Sequence, residues 1–187
     1  MPILLGGSGG CGAGAMTQIT NTTLSGAGTF DFTSIAGTFT SLYLVGQLRS
    51  SRAASGDTVN IIFNNDSGSN YADNNSLGLS TSWNVSERNT AANIGGGGNW
   101  SFNASTATAN DFSATEILIP NYASTTWTKI CFIRMLSPTS IATSAHALQF
   151  GHGFWNSTAA INRITLTPTT TPFTFVTGCQ MTLYGIT

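Results

Sequence analysis

In CQMTLYGI (179–186) the side chains sort by parity: Met181 and Leu183 share one face, Thr182 and Tyr184 the other. Successive side chains of an extended chain point to opposite sides, so this pattern predicts a strand with one buried face. FTSLYLVGQLR (39–49) repeats it with Leu42, Leu44 and Leu48. Outward from these two segments, similar stretches rich in Thr, Ile, Val and aromatic residues occur at 17–24, 28–33, 58–63, 77–85, 114–120, 126–136, 144–155 and 160–167. Such residues suit a pleated, half-buried surface. Turn chemistry separates them: Ala-Ser-Gly-Asp at 54–57, Asn-Asp-Ser-Gly-Ser-Asn at 65–70, four glycines at 95–98 and Ser-Pro-Thr at 137–139. No window sustains a 3.6-residue period. The expectation is an all-β fold, an antiparallel two-sheet sandwich of jelly-roll type. Its core should include Phe32, Leu42, Leu44, Ile62, Ile117, Ile119, Phe132, Ile164, Leu166 and Leu183.

Residues 1–16, MPILLGGSGGCGAGAM, stand apart as a Gly-rich N-terminal arm, and residues 17–187 form the sandwich domain. The tract has high backbone freedom and little to bury. Ile3, Leu4 and Leu5 are its apolar anchor, expected to bury against a partner protein or a neighbouring subunit. The polar stretch 86–113 reads as a long excursion from the sandwich.

Composition excludes several functions. Charged residues make up 7% of the 187, and six Lys+Arg against seven Asp+Glu give a net charge of −1. No basic field exists to hold phosphates, so nucleic acid is not an expected partner. No apolar run approaches the ~18 residues of a membrane span, and the start lacks the basic and long apolar regions of a secretory signal. Neither a membrane nor export is expected. A surface built from Ser, Thr, Asn and Gly lets copies approach without charge repulsion, which suits assembly into a larger object.

Motifs with catalytic or ligand-binding associations do not hold up. GGSGG (6–10) spells the G-x-S-x-G elbow and GSGGCG (7–12) spells G-x-G-x-x-G, but a strand pattern follows where both need a helix. Both are accidents of low complexity. Cys11, Cys131 and Cys179 match no zinc spacing; they read as reduced, mostly buried thiols, with a Cys131–Cys179 bridge as the oxidised alternative. His146 and His152, six apart, would share one face of a strand and could ring a metal on a symmetry axis, although ordinary strand histidines account for them. Asp66, Asn70 and Asp73 offer oxygen ligands without calcium-loop spacing, and such residues are favoured in turns anyway. No cofactor or metal is expected. Of Trp83, Trp100, Trp127 and Trp155, Trp100 is the candidate for glycan stacking or a subunit interface, because it lies in the polar excursion beside glycines. The sequons at Asn84, Asn103 and Asn156 are expected by chance in such a composition. No carboxylate pair for polysaccharide hydrolysis stands out, so the chain is not expected to be an enzyme.

Two stretches, FTSIAGTFTSLYLVGQLRSSRAASGDTVNIIFNNDSGSNYA (32–72) and FWNSTAAINRITLTPTTTPFTFVTGCQMTLYGIT (154–187), carry a wider pattern. It runs from "T-F-T-x-L" through "I-x-F-N-x-D-x-G-x-N-Y" to "I-T-L" and "T-L-Y-G-I". They resemble a β-sandwich domain of tailed-bacteriophage virion proteins, found as tail-fibre tips and capsid decoration subunits. Residues 73–153 lie outside the resemblance. It implies a structural role on the virion and transfers no catalytic residue. With a short arm and no shaft, the expectation is a capsid decoration (cement) protein, homotrimeric, attached through the arm to the major capsid protein or another virion protein. The alternative is a small tail-fibre or baseplate tip binding host surface glycans.

Overall fold

The computed structural model describes residues 15–79, 82–96, 98–138 and 146–187, which contain twelve β-strands and no helix. In chain order these are β1 (Met16–Thr23), β2 (Phe30–Phe32), β3 (Ser41–Leu48), β4 (Gly56–Phe63), β5 (Tyr71–Gly78) and β6 (Trp83–Ala91). β7 (Ser101–Asn103), β8 (Ser113–Pro120), β9 (Lys129–Pro138), β10 (His146–Trp155), β11 (Ile164–Pro168) and β12 (Gln180–Ile186) follow. They form two antiparallel sheets, one of eight strands ordered β1-β12-β3-β8-β9-β10-β5-β6 and one of four ordered β2-β11-β4-β7. The all-β two-sheet expectation is thus met. The arm anchor Ile3, Leu4 and Leu5 lies outside the described residues.

Register explains the core. Leu183 of β12 stands opposite Leu44 of β3, Leu44 opposite Ile117 of β8, and Ile117 opposite Ile133 of β9. This apolar row runs across the inner face of the wide sheet. Phe30, Phe32, Val59, Ile61, Phe63, Ile164 and Leu166 of the narrow sheet belong to the same buried cluster. Each large apolar side chain fully buried contributes about 1.5–3 kcal/mol, so this two-sided cluster is the main favourable term of the fold.

The narrow sheet covers only part of the wide one. Over β10 and β5 the cover from Phe63 of β4, which packs on Trp155 and Tyr71, is extended by the stretch around Ile94 and Trp100, both fully buried, which exchanges backbone bonds with Ile61 and Val59 of β4. Two glycines of β10 make the close approach feasible. A Cβ at Gly153 would meet Ile94 Cδ1 at 2.6 Å, and one at Gly151 would meet Trp100 Cη2 at 3.2 Å and the Asn74 carbonyl oxygen at 2.0 Å. At its C-terminal end the segment is tied by polar bonds. Ser101 N donates to Gln149 Oε1 at 2.8 Å, and Asn99 Nδ2 donates to the buried Asp73 carboxylate at 2.5 Å.

Several expectations are corrected. The stretch 77–85 is not one strand: β5 ends at Gly78 and β6 begins at Trp83, with Leu79 N donating to Ser82 O at 2.8 Å between them. The stretch 86–113 is not a bare excursion, since it holds most of β6, the covering segment and β7. Ile62 is half-buried on the outer face of β4, because Val59, Ile61 and Phe63 take the inner parity. Phe132 points outward on β9, because Cys131, Ile133 and Met135 fill the core side. Cys131 and Cys179 are separate, buried free thiols. Burial pushes the Cys131 thiol up to about 12.

Candidate functional site

The inner side of the wide sheet is fully employed; its outer side is not. Strand pairing lines up outward-facing residues in three rows. The first runs Tyr184, Tyr43, Leu118, Phe132, His152, Asn74 and Glu87. The second runs Thr182, Val45, Glu116, Arg134, Phe150, Ser76 and Val85 along the same pairings, and the third includes Ala114, Leu136, Leu148, Gly78 and Trp83. Phe132 is 57% exposed, Leu136 48%, Phe150 45%, Leu148 39%, Trp83 53%, Val85 62% and Ile130, on the same side of β9, 45%. Scattered exposed apolar residues need no explanation, but a contiguous set of this size does.

The face has relief. A groove of about 620 Å³ lies among Tyr43, Leu118, Phe132, Phe150 and His152. A second of about 500 Å³ lies among Val45, Ala114, Leu136, Leu148 and Phe150. Between them stands the Glu116–Arg134 ion pair, whose partners are directly opposite on β8 and β9. Desolvation, reinforced by the Glu116 carboxylate, raises the Tyr43 phenol above its ordinary value. Trp83 packs at a tilt on Phe150, with ring centroids 5.3 Å apart. What this arrangement can do is bury itself against another surface. Apart from its one internally neutralised pair, the apolar heart of the face carries no carboxylate or cation.

The other Lys and Arg side chains are taken up by the fold. Arg88 pairs with Asp73 at 2.5 Å, Arg163 with Asp31 at 2.6 Å and Arg52 with Asp57 at 3.6 Å. Arg49 Nη1 and Nη2 donate to the carbonyls of Ser105, Ala107, Thr108 and Asp111, holding the loop before β8. Lys129 is buried and its ammonium donates to the carbonyls of Ser124, Trp127 and Thr158. Among the described residues no group of three or more His, Cys, Asp or Glu side chains could hold a metal ion.

The residues singled out from sequence fall as follows. Trp100 is fully buried, with φ at 60°, so its ring enters the core over β10 and offers no face to a sugar or a subunit. His146 and His152 share the outer face of β10, as their spacing implied, and His152 lines the first groove beside Phe132. Asp66 organises a turn, accepting from Gly68 N at 2.9 Å, Asn70 Nδ2 at 2.9 Å and Trp155 Nε1 at 2.7 Å. These donors, Trp155 foremost, hold its carboxyl below the usual value. Asp73 belongs instead to the Arg88 network, so the three oxygen-bearing residues do not converge. Sequence reasoning missed the outer face itself. Ile130, Phe132 and Leu136 share parity with Arg134, but Lys129 shares the other parity with Cys131 and Ile133, so the sequence carries no signal that decides the facing of β9.

No protein-family model, no curated protein and no solved structure matches this chain.

Proposed function

We propose that this chain is a structural subunit of a tailed-phage virion, a capsid decoration protein that acts as a homotrimer and attaches through its N-terminal arm. The observation that carries the reading is the broad apolar outer face of the wide sheet on a nearly uncharged sandwich. Such a face is costly to leave in water and is suited to contact between proteins. The resemblance of residues 32–72 and 154–187 to phage virion sandwiches supplies the setting. Arg49, Arg52, Arg88, Lys129 and Arg163 hold carbonyls or carboxylates of the fold itself, which supports a non-catalytic role. In this reading Ile3, Leu4 and Leu5 bind the major capsid protein or another virion protein.

The alternative is a tail-fibre or baseplate tip that binds host glycans. It keeps one supporting residue, Trp127, which is 68% exposed between β8 and β9. Labelling the protein on intact particles separates the two readings. Decoration requires hundreds of copies distributed over the head; a tip requires a few copies at the tail. Absence from particles refutes both. Deleting residues 2–15 then tests the arm: the truncated domain should fold with an unchanged midpoint and lose its association with heads.

A further inference from the structure

We propose that the outer face of the eight-stranded sheet is where a second copy of this chain docks, with Phe132 and Phe150 as the central contacts. This rests on the assembly reading above and assigns its contact surface. Three observations favour a copy of the same chain as the occupant.

The first is area. Trp83, Val85, Ile130, Phe132, Leu136, Leu148 and Phe150 are between 39% and 62% exposed. Large apolar side chains present roughly 150–250 Å² when open, so together these leave on the order of 700 Å² exposed. That exceeds the ~300–600 Å² of the largest patch on a typical monomer and approaches the ~800 Å² per partner of a stable interface.

The second is charge. A face that meets its own copy brings like groups close to a symmetry axis, where net charge would repel. Here Glu116 and Arg134 neutralise each other in the middle of the face, and Glu87 stands at the rim on β6. The pair also lets Arg134 of one copy approach Glu116 of the next, so that opposite charges still meet across the contact.

The third is shape. Phe132 and Phe150 are knobs, and the two grooves of about 620 and 500 Å³ beside them have room for an aromatic side chain each. Around a three-fold axis the knobs of one copy enter the grooves of the next, so knobs and holes of matching chemistry on one face are what a closed ring of copies requires.

The test is the oligomeric state of the full chain, by light scattering after gel filtration and by sedimentation at tens of micromolar. The wild type should run as an oligomer of the 19.5 kDa chain. Phe132→Glu and Phe150→Glu should run as monomers, with a strand-rich circular dichroism spectrum and dispersed amide resonances showing that the fold survives. Leu136→Arg replaces either variant that does not fold. Thr167→Glu, on the outer side of the narrow sheet, should leave the oligomer intact. A monomeric wild type overturns the proposal, including the case in which residues 1–14 cover the face in cis. An oligomer that persists in the folded face variants, or that Thr167→Glu breaks equally, also overturns it. The virion reading fails separately, on absence from intact particles, whereas the isolated protein decides this proposal and the homotrimer with it.

Discussion

Replacing Asp73 by Asn tests the polar network that fastens the segment between β6 and β7. The Asp73 carboxylate is buried and accepts from Arg88 Nε at 3.1 Å, Arg88 Nη2 at 2.5 Å, Asn99 Nδ2 at 2.5 Å and Gly95 N at 3.0 Å. Asparagine keeps the shape, removes the charge and turns one acceptor into a donor. Because every neighbour is itself a donor, one contact becomes repulsive and at least one buried N–H is left without an acceptor. Removing one partner of a buried ion pair costs about 3–5 kcal/mol. The Arg88 side chain keeps 21% exposure and a bond to Asn93 O at 2.8 Å, so water and that carbonyl still serve its charge. The lower end, about 3 kcal/mol, is therefore expected, a loss of roughly two powers of ten in the folding constant. With a urea slope of about 1–3 kcal/mol per molar, the midpoint should fall by roughly 1–3 M. Equilibrium urea unfolding at one fixed protein concentration measures it, since association would make the midpoint depend on concentration. A midpoint within about 0.3 M of wild type would refute the reasoning, as would Arg88→Met showing no coupling to Asp73→Asn in a double-mutant cycle.

Other outcomes are expected from the same physics. Leu44→Ala, at a fully buried site between Leu183 and Ile117, should cost about 2–5 kcal/mol by urea unfolding through lost transfer energy and a residual cavity. Asp66 and Asp31 are both held below their ordinary value of 3.8, by Trp155 and Arg163 respectively. A lowered folded-state value stabilises the ionised protein, so this contribution is complete well above pH 3.8 and is lost as pH falls below it, through the folded values. Acid titration of the unfolding midpoint should show that decline, and Asp66→Asn should make it shallower. Cys131 and Lys129 are buried, so thiol and amine reagents should label them only on unfolding; mass spectrometry after a short pulse would show otherwise if the burial is wrong.

β12 and β3 are legible because their inner apolar residues recur at every second position. Of these, Leu183 and Leu44 meet in register. Legibility ends where both faces carry similar residues. TVNIIF has apolar side chains at both parities around Ile61 and Ile62, so parity alone does not choose. In KICFIRML each parity carries apolar residues and one cation, Lys129 inward and Arg134 outward, so neither polarity nor charge chooses the face. Most of β5 carries no strand signal because its inner face holds Asp73 and Asn75, which bind Arg88 and Gln149 instead of apolar neighbours. β6 shows no alternation because it is an edge strand, exposed along most of its length. Trp100 misleads for a related reason: its polar neighbours Asn99 and Ser101 are bonded inward, to Asp73 and Gln149, rather than to water.

The loop that carries the narrow sheet's edge past β4, around Ile94 and Trp100, has a dynamic consequence. Over β3, β8 and β12 the wide sheet is clamped by a hydrogen-bonded neighbour sheet. Over β5 its cover is Phe63 at one end and, beyond it, a loop tied to β4 by the Ile61–Ile94 backbone bonds, to Asp73 by Gly95 and Asn99, and to the core by Ile94 and Trp100. Native proteins open in cooperative pieces whose free energies track such local coupling. β5, β6 and the stretch around Ile94 and Trp100 are therefore expected to open as one foldon, less protected than the rest. Its amides should exchange together, by sub-global opening, while those of β3, β8 and β12 wait for global unfolding. Because Trp83 and Val85 ride on β6, one end of the apolar outer face can fluctuate while the Phe132 end stays rigid.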